Sequence, residues 1–381
     1  MKIKCFHSLR LSVTVIFVAC VAHVAFAQAL PPKAAVMQAM VKANQYFMQK
    51  WPDAGKPIFT NIERPSNIWT RAVYYEGLMA LYNIKPDKAY LDYAIQWGEK
   101  HKWGLRGGVE TRNADNQACG QTYLDLYKLN PQPVRMEAIK ASMDRMMASN
   151  KVDDWHWIDA LQMGMPVFVK LGNLTGDTAY FRKMYELYAF TKYRHAGNGL
   201  YNPIEKLWWR DKDFAPPYKE PNGANCYWSR GNGWVVAALV RTLDELPKID
   251  PAYPEYLQDY KDMLAALLPL QRLDGFWNVS LKDHTHFGGK ELTGTALFVY
   301  GMAYGINKGL IDRKTYLPAV IKAWNALVKD CIHPDGKLGY VQGTGKEPKD
   351  GQPVTYTSTP DFEDYGLGCF LLAGTEVYKM K

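Results

Sequence analysis

The stretch Trp228–Trp234, with the sequence WSRGNGW, combines side chains suited to holding an anion. A guanidinium such as that of Arg230 binds a carboxylate through two parallel hydrogen bonds, and glycines let a ligand come close to the backbone. An apolar run follows, so the stretch begins a helix, whose first free N–H groups also attract anions. We interpret Trp228, Arg230, Asn232 and Trp234 as candidate substrate-binding residues. The alternative is a closely packed helix start.

Acidic side chains stand at the starts of other apolar segments. Asp115, Asp159 and Asp361 each precede a glycine by five residues. A carboxylate in that place either caps the helix by accepting a backbone N–H or faces a polar site. From these residues alone both interpretations are open.

Two long connections carry further residues that could touch a ligand. Residues 195–229 include Trp208 and Trp209, and residues 271–290 include His284 and His286. Aromatic faces stack on sugar rings, although a single tryptophan also packs. The two histidines have no third ligand at metal-motif spacing. We therefore take Trp208, Trp209 and His286 as candidate substrate contacts and predict no metal.

Helices must position these residues, because apolar side chains recur at helical spacing along nearly the whole chain. Six segments are amphipathic, and the six that alternate with them are apolar almost all round and rich in small residues, which indicates burial on every side. The twelve segments lie near 35–50, 69–83, 87–101, 115–129, 134–149, 157–172, 178–194, 230–245, 253–270, 291–308, 313–329 and 361–379.

Six helical hairpins of this alternating kind close into a double ring, so we predict an all-α fold, an (α/α)6 barrel. The inner helices then run in one direction, and their N-termini meet at one mouth, where the two long connections also lie. Mid-helix glycine is costly, and close approach of the inner helices explains Gly120, Gly164 and Gly366.

Residues 1–27 have the pattern of a cleavable export signal. Lys2, Lys4 and Arg10 precede an apolar run that ends in Ala25-Phe26-Ala27, a small-x-small cleavage pattern. We predict a periplasmic or secreted protein, with residues 28–381 as one catalytic domain and no membrane segment in the mature form. The four cysteines of the mature chain fit no zinc motif and permit three disulfide pairings or buried thiols.

The charge excludes nucleic acid as the expected partner. The formal net charge is +8, and the three basic residues of 1–27 account for part of it, so residues 28–381 carry +5 without a Lys/Arg-rich block. This mild surplus is compatible with an acidic small ligand or polysaccharide. The sequence gives no indication of oligomeric state.

Four motifs in order resemble a known family, the unsaturated rhamnogalacturonyl hydrolases of glycoside hydrolase family 105, related to the unsaturated glucuronyl hydrolases of family 88. They are Trp157–Met163, Trp228–Trp234, Asp274–Trp277 and Glu291–Ala296. The resemblance extends from about residue 35 to residue 379. The Trp-x-Arg-Gly-x-Gly-Trp element is the most specific part, and its Asn232 favours family 105.

The resemblance implies hydration of a vinyl ether. Polysaccharide lyases leave a non-reducing uronic acid with a C4=C5 double bond, to which these enzymes add water, and the neighbouring sugar is then released. It assigns Asp159 as acid and base, Asp115 as its assistant, and Arg230 as partner of the substrate carboxylate, without cofactor or metal. Two neighbouring carboxyl groups cannot both ionise freely, so one can act as general acid near neutral pH.

One departure from the family concerns specificity. Many relatives have a histidine after Gly-Leu in the loop before the Trp-x-Arg element, but Leu200 is followed here by Tyr201-Asn202. Unsaturated galacturonate linked to rhamnose is the first expectation for the substrate, and unsaturated glucuronate is the alternative. A polysaccharide lyase and a non-catalytic sugar-binding barrel are the other hypotheses.

Overall fold

The computed structural model describes residues 29–59, 62–357 and 363–381. The predicted signal at 1–27 and Asp361 lie outside these residues. The described chain is dominated by helices, with the bounds α1 Lys33–Lys50, α2 Trp69–Ile84, α3 Lys88–Lys100, α4 Ala114–Gln117, α5 Cys119–Leu129, α6 Val134–Met147, α7 Asp159–Thr175, α8 Ala179–Tyr193, α9 Ser229–Glu245, α10 Tyr253–Leu267, α11 Leu292–Asn307, α12 Arg313–Cys331 and α13 Glu363–Lys379.

The strands are short and lie in the connections. β1 Ile58–Phe59 pairs with β2 Glu63–Arg64, and β3 Tyr201–Asn202 pairs with β4 Leu207–Trp208, both antiparallel. Each of the twelve predicted helical segments is helical, with one interruption: the segment near 115–129 is divided into α4 and α5 at Ala118.

The helices form two concentric rings. The inner ring is α2, α4 with α5, α7, α9, α11 and α13, in which each member packs on the next and α13 packs on α2. The outer helices α1, α3, α6, α8, α10 and α12 each pack on an inner one. Burial separates the two kinds, because α11 is buried along Leu292–Ile306 whereas α3 buries one face only. The prediction of an all-α (α/α)6 barrel is confirmed.

A glycine contact closes the inner ring where its first and last helices meet. A Cβ on Gly77 of α2 would lie 2.7 Å from the carbonyl oxygen of Gly368 in α13, and a Cβ on Gly368 would lie 2.2 Å from that of Val73. These separations are shorter than real Cβ contacts, so α2 and α13 can approach this closely only with glycine at both positions.

The predicted reason for the repeated mid-helix glycines needs a correction. A Cβ on Gly120 would strike the side chain of Ile139 in the outer helix α6, and one on Gly164 would strike Trp155 in a connection. These glycines are required by close packing, as expected, but their partners are an outer helix and a loop rather than neighbouring inner helices.

The two ends of the barrel differ in what closes them. The N-terminal ends of the inner helices and the connections 195–228, 271–291 and 332–357 form one end, the mouth. The C-terminal ends of α2, α5, α7, α9 and α13 surround a cavity of about 560 Å³ at the other end, which we call the base cavity. Among the described residues, no helix is both long and apolar enough to span a membrane.

Ion pairs and a hydrogen bond connect inner helices around the base cavity. Lys170 of α7 pairs with Asp125 of α5 and, at 2.8 Å, with Glu245 of α9. Glu76 of α2 accepts a hydrogen bond from Gln162 at 2.7 Å, and Arg241 lies 4.0 Å from it. The four cysteines Cys119, Cys226, Cys331 and Cys369 are buried free thiols.

Candidate active site

The structure brings Asp115 and Asp159 together in a cavity of about 470 Å³ at the mouth of the barrel, which we call the mouth cavity. Both side chains come from the first turns of inner helices, α4 and α7. The full wall consists of Arg64, Ile68, Trp69, Thr70, Arg106, Asp115, Trp157, Asp159, Met163, Arg210, Thr344 and Gly345.

Asp115 faces this cavity because another residue caps its helix. The side-chain oxygen of Asn113 accepts the backbone N–H of Asp115 at 2.9 Å, which is the function of an N-cap. The carboxyl group of Asp115 is therefore not needed for capping. Of the two interpretations of Asp115, a helix cap or part of a polar site, the structure supports the polar site.

Asp159 is held at its place by a segment distant in sequence. The backbone N–H of Ile158 donates to the carbonyl of Arg210 at 2.9 Å, and Trp157 forms an isolated β-bridge with Asp211. The side chain of Arg210 then reaches Asp159, with Nε 3.2 Å from Oδ2. The loop that follows β4 thus fixes both the start of α7 and a cation beside its first carboxylate.

Burial and neighbouring charges alter the protonation of the two acids. Burial, and then the negative charge of Asp159, raise the pKa of Asp115 to about 7, against the opposing effect of Arg210 and Arg106. Burial also raises the pKa of Asp159, opposed by Arg210 and Arg230. A pair of carboxyl groups in these surroundings can hold one proton near neutral pH, as general acid catalysis requires.

Arg230 lies outside the mouth cavity. Its two terminal nitrogens donate to the carbonyl oxygens of Gln342 and Gly343, each at 2.8 Å. The guanidinium also packs over the rings of Trp228 and Tyr365, and the residue is 1% exposed. In the structure Arg230 anchors the connection that supplies Thr344 and Gly345 to the cavity wall, and this placement does not support the predicted contact with a substrate carboxylate.

The other members of the Trp228–Trp234 stretch also have packing partners. The indole N–H of Trp228 donates to the Gln342 side chain at 2.9 Å. The ring of Trp234 meets the edge of Trp69, with ring centroids 6.2 Å apart. Trp69 lines the cavity and Trp234 lies behind it, so Trp234 supports the wall rather than forming it.

Asn232 fastens the loop of β4 to α9. Its amide oxygen accepts the backbone N–H of Trp208 at 2.9 Å, and its amide nitrogen donates to the carbonyl oxygens of Trp208 and Trp228. Trp208 itself is fully buried beside Tyr188 and Tyr201. Asn232 and Trp208 therefore hold the segment that ends in Arg210.

Trp209 and His286 likewise lie outside the wall of the mouth cavity. The ring of Trp209 stacks on that of Tyr227 at 6.0 Å, and the residue is mostly buried. Nδ1 of His286 hydrogen-bonds with the carboxylate of Glu220, which also accepts from Ser280 at 2.7 Å. Within the described residues, no group of three or more His, Cys, Asp or Glu side chains could hold a metal ion.

Sequence reasoning did not select the arginines of the mouth cavity. Arg210 stands next to Trp209 and Asp211 in a loop that the sequence already indicated as a pocket wall. Its position in that loop could have identified it as a candidate site residue. Arg64 and Arg106 lie in connections without a recognisable pattern, and only the folded chain brings them to the two carboxyl groups.

The described helices form a double ring with a pair of carboxyl groups and three arginines at its mouth, an arrangement that suits an acidic ligand. The family model for glycosyl hydrolase family 88 matches residues 39–381. The chain therefore belongs to glycosyl hydrolase family 88 and is a glycoside hydrolase. The resemblance to the related families 105 and 88 seen in the sequence is confirmed, and the preference for family 105 that rested on Asn232 stays a prediction.

Individual proteins agree with this assignment. The chain is 32% identical over 361 residues to an unsaturated 3S-rhamnoglycuronyl hydrolase of Formosa agariphila, with 90% of this chain and 91% of the relative covered. It is similar to the solved structure of a family 88 glycosyl hydrolase from Bacteroides vulgatus, with a TM-score of 0.83, 33% identity, and coverage of 92% and 100%. A solved structure described as a polysaccharide lyase matches with a TM-score of 0.82, 33% identity, and coverage of 91% and 97%.

Proposed function

We propose that the protein releases the 4,5-unsaturated uronic acid from the non-reducing end of oligosaccharides made by polysaccharide lyases. The observation that carries this proposal is the placement of Asp115 and Asp159 in one cavity, beside arginines that suit an acidic sugar. The pair supplies a proton donor and a carboxylate base, which hydration of a vinyl ether requires.

The reaction needs one proton transfer in each direction. A carboxyl group gives its proton to C4, and C5 takes the positive charge that the ring oxygen shares. Water adds to C5 and loses a proton to a carboxylate, which leaves a hemiketal. The hemiketal opens, the bond to the neighbouring sugar breaks, and that sugar departs with its oxygen protonated. The pair of aspartates again holds one proton at the end of the reaction, as at its start.

Arg106 is our candidate for binding the substrate carboxylate, in place of Arg230. Its guanidinium lines the mouth cavity, and among the described residues it forms no ion pair. Arg210, in contrast, is already paired with Asp159 and Asp211. A fork-shaped cation whose charge acts on Asp115 suits the bidentate binding of a uronate.

The sugar class follows from the relatives. The Formosa agariphila relative is named an unsaturated 3S-rhamnoglycuronyl hydrolase, which favours unsaturated glucuronate linked to rhamnose for this chain. Unsaturated galacturonate linked to rhamnose, the first expectation from the sequence, becomes the second substrate to test. The other residues predicted to contact substrate, which are Trp208, Trp209, Trp228, Asn232, Trp234 and His286, stay predictions.

The test follows the ultraviolet absorbance of the double bond. Purified protein is incubated with unsaturated disaccharides prepared by lyases from ulvan, rhamnogalacturonan and glycosaminoglycans. We expect the absorbance to fall with the glucuronyl-rhamnose substrate and not with an Asp159→Asn variant. No loss with any of these substrates contradicts the proposal.

A polysaccharide lyase is the second candidate, because one of the similar structures is described as such an enzyme. A lyase creates the double bond that the proposed hydrolase removes. The same assay therefore separates the two functions when intact polysaccharide is supplied: rising absorbance indicates a lyase, and unchanged absorbance together with loss from disaccharides indicates the hydrolase.

We also propose that residues 1–27 are removed on export and that residues 28–381 form one catalytic domain in the periplasm or outside the cell. The basic start, apolar run and Ala25-Phe26-Ala27 site support this, as does a family match that extends from residue 39 to residue 381. N-terminal sequencing of the exported protein tests it: a start at Gln28 is expected, and an intact Met1 contradicts it.

A further inference from the structure

The base cavity contains two cations that no acid contacts through a hydrogen bond. Arg241 of α9 donates no hydrogen bond within the described part of the chain, and the carboxylate oxygen of Glu76 that its Nη1 faces lies 4.0 Å away, beyond hydrogen-bond distance. The Arg241 side chain is 11% exposed, and its Nε is buried without a partner. Lys128, an exposed residue of the same wall, forms no ion pair with any described residue. A buried guanidinium without an acceptor is costly, so Arg241 is suited to bind an anion.

The acids that line this cavity are engaged by other groups. Four of the five pair with lysines, and these pairs are Asp125 and Glu245 with Lys170, Asp244 with Lys308, and Glu376 with Lys379. The fifth is Glu76, whose Oε2 accepts from Gln162 at 2.7 Å and whose Oε1 is buried without a partner. When Glu76 is protonated, four acids stand beside five cations, which are the three lysines of these pairs together with Arg241 and Lys128. The wall then carries one positive charge, which a monoanion matches.

Glu76 can hold a proton near neutral pH. Burial raises its pKa to about 7; the charge of Arg241 opposes this, the charge of Asp125 adds to it, and Lys170 and the hydrogen bond from Gln162 lower it. Because Oε2 accepts from Gln162, the proton of the neutral form sits on Oε1, which then donates a hydrogen bond. Glu76 can thus present a donor beside the guanidinium of Arg241.

Tyr300 of α11 adds a hydroxyl group to this wall. The hydroxyl makes no hydrogen bond within the described residues, and the charge of Arg241 acts on it. Burial raises the pKa of Tyr300 and of Cys369, the other titratable groups near Glu76, so both stay neutral. A guanidinium, a carboxylic acid and a phenol on three helices therefore line one cavity, an arrangement that suits a ligand with a carboxylate and hydroxyl groups.

We propose that the base cavity is a second binding site, for a small hydroxylated monocarboxylate of the size of one sugar acid, which Arg241, Glu76 and Tyr300 hold. The volume of about 560 Å³ is within the range of small-molecule sites. The site lies at the opposite end of the barrel from the mouth cavity, so the inference does not depend on the reaction proposed there. A metal ion does not suit it, because no group of three or more His, Cys, Asp or Glu among the described residues could hold one.

Calorimetric titration with D-glucuronate tests the site. The titration uses an Arg106→Met variant, which weakens the uronate binding that the proposed function expects at the mouth and keeps every residue of the base cavity. We expect one molecule of glucuronate to bind per chain, and D-glucose, which lacks the carboxylate, to bind about tenfold or more weakly. If glucuronate does not bind at any attainable concentration, water alone fills the cavity and the inference is overturned.

Substitutions in the cavity wall locate the bound molecule. Arg241→Met, added to the Arg106→Met protein, should abolish the binding of glucuronate, and thermal unfolding shows whether this protein is folded. If it is not, Tyr300→Phe decides, because it keeps the ring, removes the hydroxyl group and should weaken binding about 2–10-fold. Arg145→Met, at an exposed arginine, is the matched control and should leave the affinity unchanged. An unchanged affinity in folded Arg241→Met or in Tyr300→Phe overturns the inference.

The pH dependence of the binding gives an independent test. As the pH rises through about 7, Glu76 ionises, and its negative charge repels the ligand carboxylate beside Arg241. The affinity should therefore fall by up to about tenfold per pH unit above that point. Glu76→Gln keeps the size of the side chain and cannot ionise, so its affinity for glucuronate should be the same on both sides of neutral pH. An equal dependence on pH with and without Glu76→Gln contradicts the inference.

Discussion

The two ends of the barrel have cavities of similar size, but the acidic side chains in these cavities differ in whether they are paired with cations. Each cavity has a volume near 500 Å³, and each contains an acid whose pKa burial raises to about 7: the half-buried Asp115 at the mouth and the buried Glu76 at the base. At the base, Lys170 joins acids from the neighbouring helices α5 and α9, and Arg241 of α9 faces Glu76 of α2 across the ring. At the mouth, one acid is paired with Arg210 and the other is left without a partner.

This difference shows that a raised pKa alone does not identify a catalytic acid. Burial is the main cause at both Asp115 and Glu76. Glu76 is bound by Gln162 and faces Arg241, contacts that connect helices. Asp115 has space beside it and a second carboxyl group nearby. A functional acid is recognised by what surrounds it as well as by its pKa.

The largest expected effect is on catalysis at the mouth. Asp159→Asn removes the carboxyl group to which the family resemblance assigns the acid and base function, and should lower kcat by about 10²–10⁴ without changing the melting temperature. Steady-state assays on an unsaturated disaccharide measure it. Asp153→Asn, which changes an exposed acid nearby, is the matched control and should retain activity. Full activity in Asp159→Asn would contradict the assignment of catalysis to the mouth cavity rather than to the base cavity.

A substitution at the base cavity should change the stability of the protein rather than its catalysis. Lys170→Met leaves Asp125 and Glu245 without their shared cation. We expect the free energy of unfolding to fall by about 3 kcal/mol, the low end for a broken buried pair because both acids are partly exposed. Urea unfolding measures this, and kcat of the folded protein should be unchanged. Lys151→Met, at an exposed pair, should cost less than about 1 kcal/mol; equal losses in the two variants would contradict the comparison.

The hydrogen bonds of Asn232 to Trp208 are expected to stabilise the loop that follows β4 and carries Arg210. Asn232→Ala leaves the buried backbone N–H of Trp208 without its acceptor, which should lower the free energy of unfolding by about 1–3 kcal/mol. KM should change little, because Asn232 does not line the cavity. Asn198→Ala, at an exposed position, is the control. A large rise in KM without loss of stability would instead support the substrate contact predicted from the sequence.

The smallest effect is expected at His286. His286→Gln removes a partner of Glu220 outside the mouth cavity, so kcat/KM should change by less than about tenfold, or 1.4 kcal/mol. Glu220→Gln tests the same contact from its other side and should behave alike. If His286→Gln alone lowers kcat/KM by more than this, then the mouth extends to His286, as the sequence suggested.

The fold was predictable because burial leaves a periodic pattern. A helix buried on every side, such as α11, has almost no polar residues, and its alternation with amphipathic helices indicates two rings. The division between α4 and α5 at Ala118 was not predictable, since the apolar pattern continues through it.

The site was predictable only where a motif carried it. Asp159 follows Trp157 in a recognisable motif, and Asp115 stands at a corresponding helix start. The arginine at 230 was prominent in sequence yet is used to hold a loop, whereas Arg106 and Arg210 had no such prominence. Which of two arginines faces a cavity depends on side-chain direction and on contacts with residues over a hundred positions away, such as Gln342, and local sequence does not record these.

The Gly77–Gly368 contact joins the first inner helix to the last. The ring can therefore close only after the last inner helix has been synthesised. A nascent chain completed as far as Asn307 already contains five of the six inner helices, but the flank of α2 that Gly368 covers has no partner yet. Closure joins residues almost three hundred positions apart, and contacts of such separation form slowly. The open ring exposes apolar surface in the interval, so we expect the chain to be more prone to aggregation until α13 has been added.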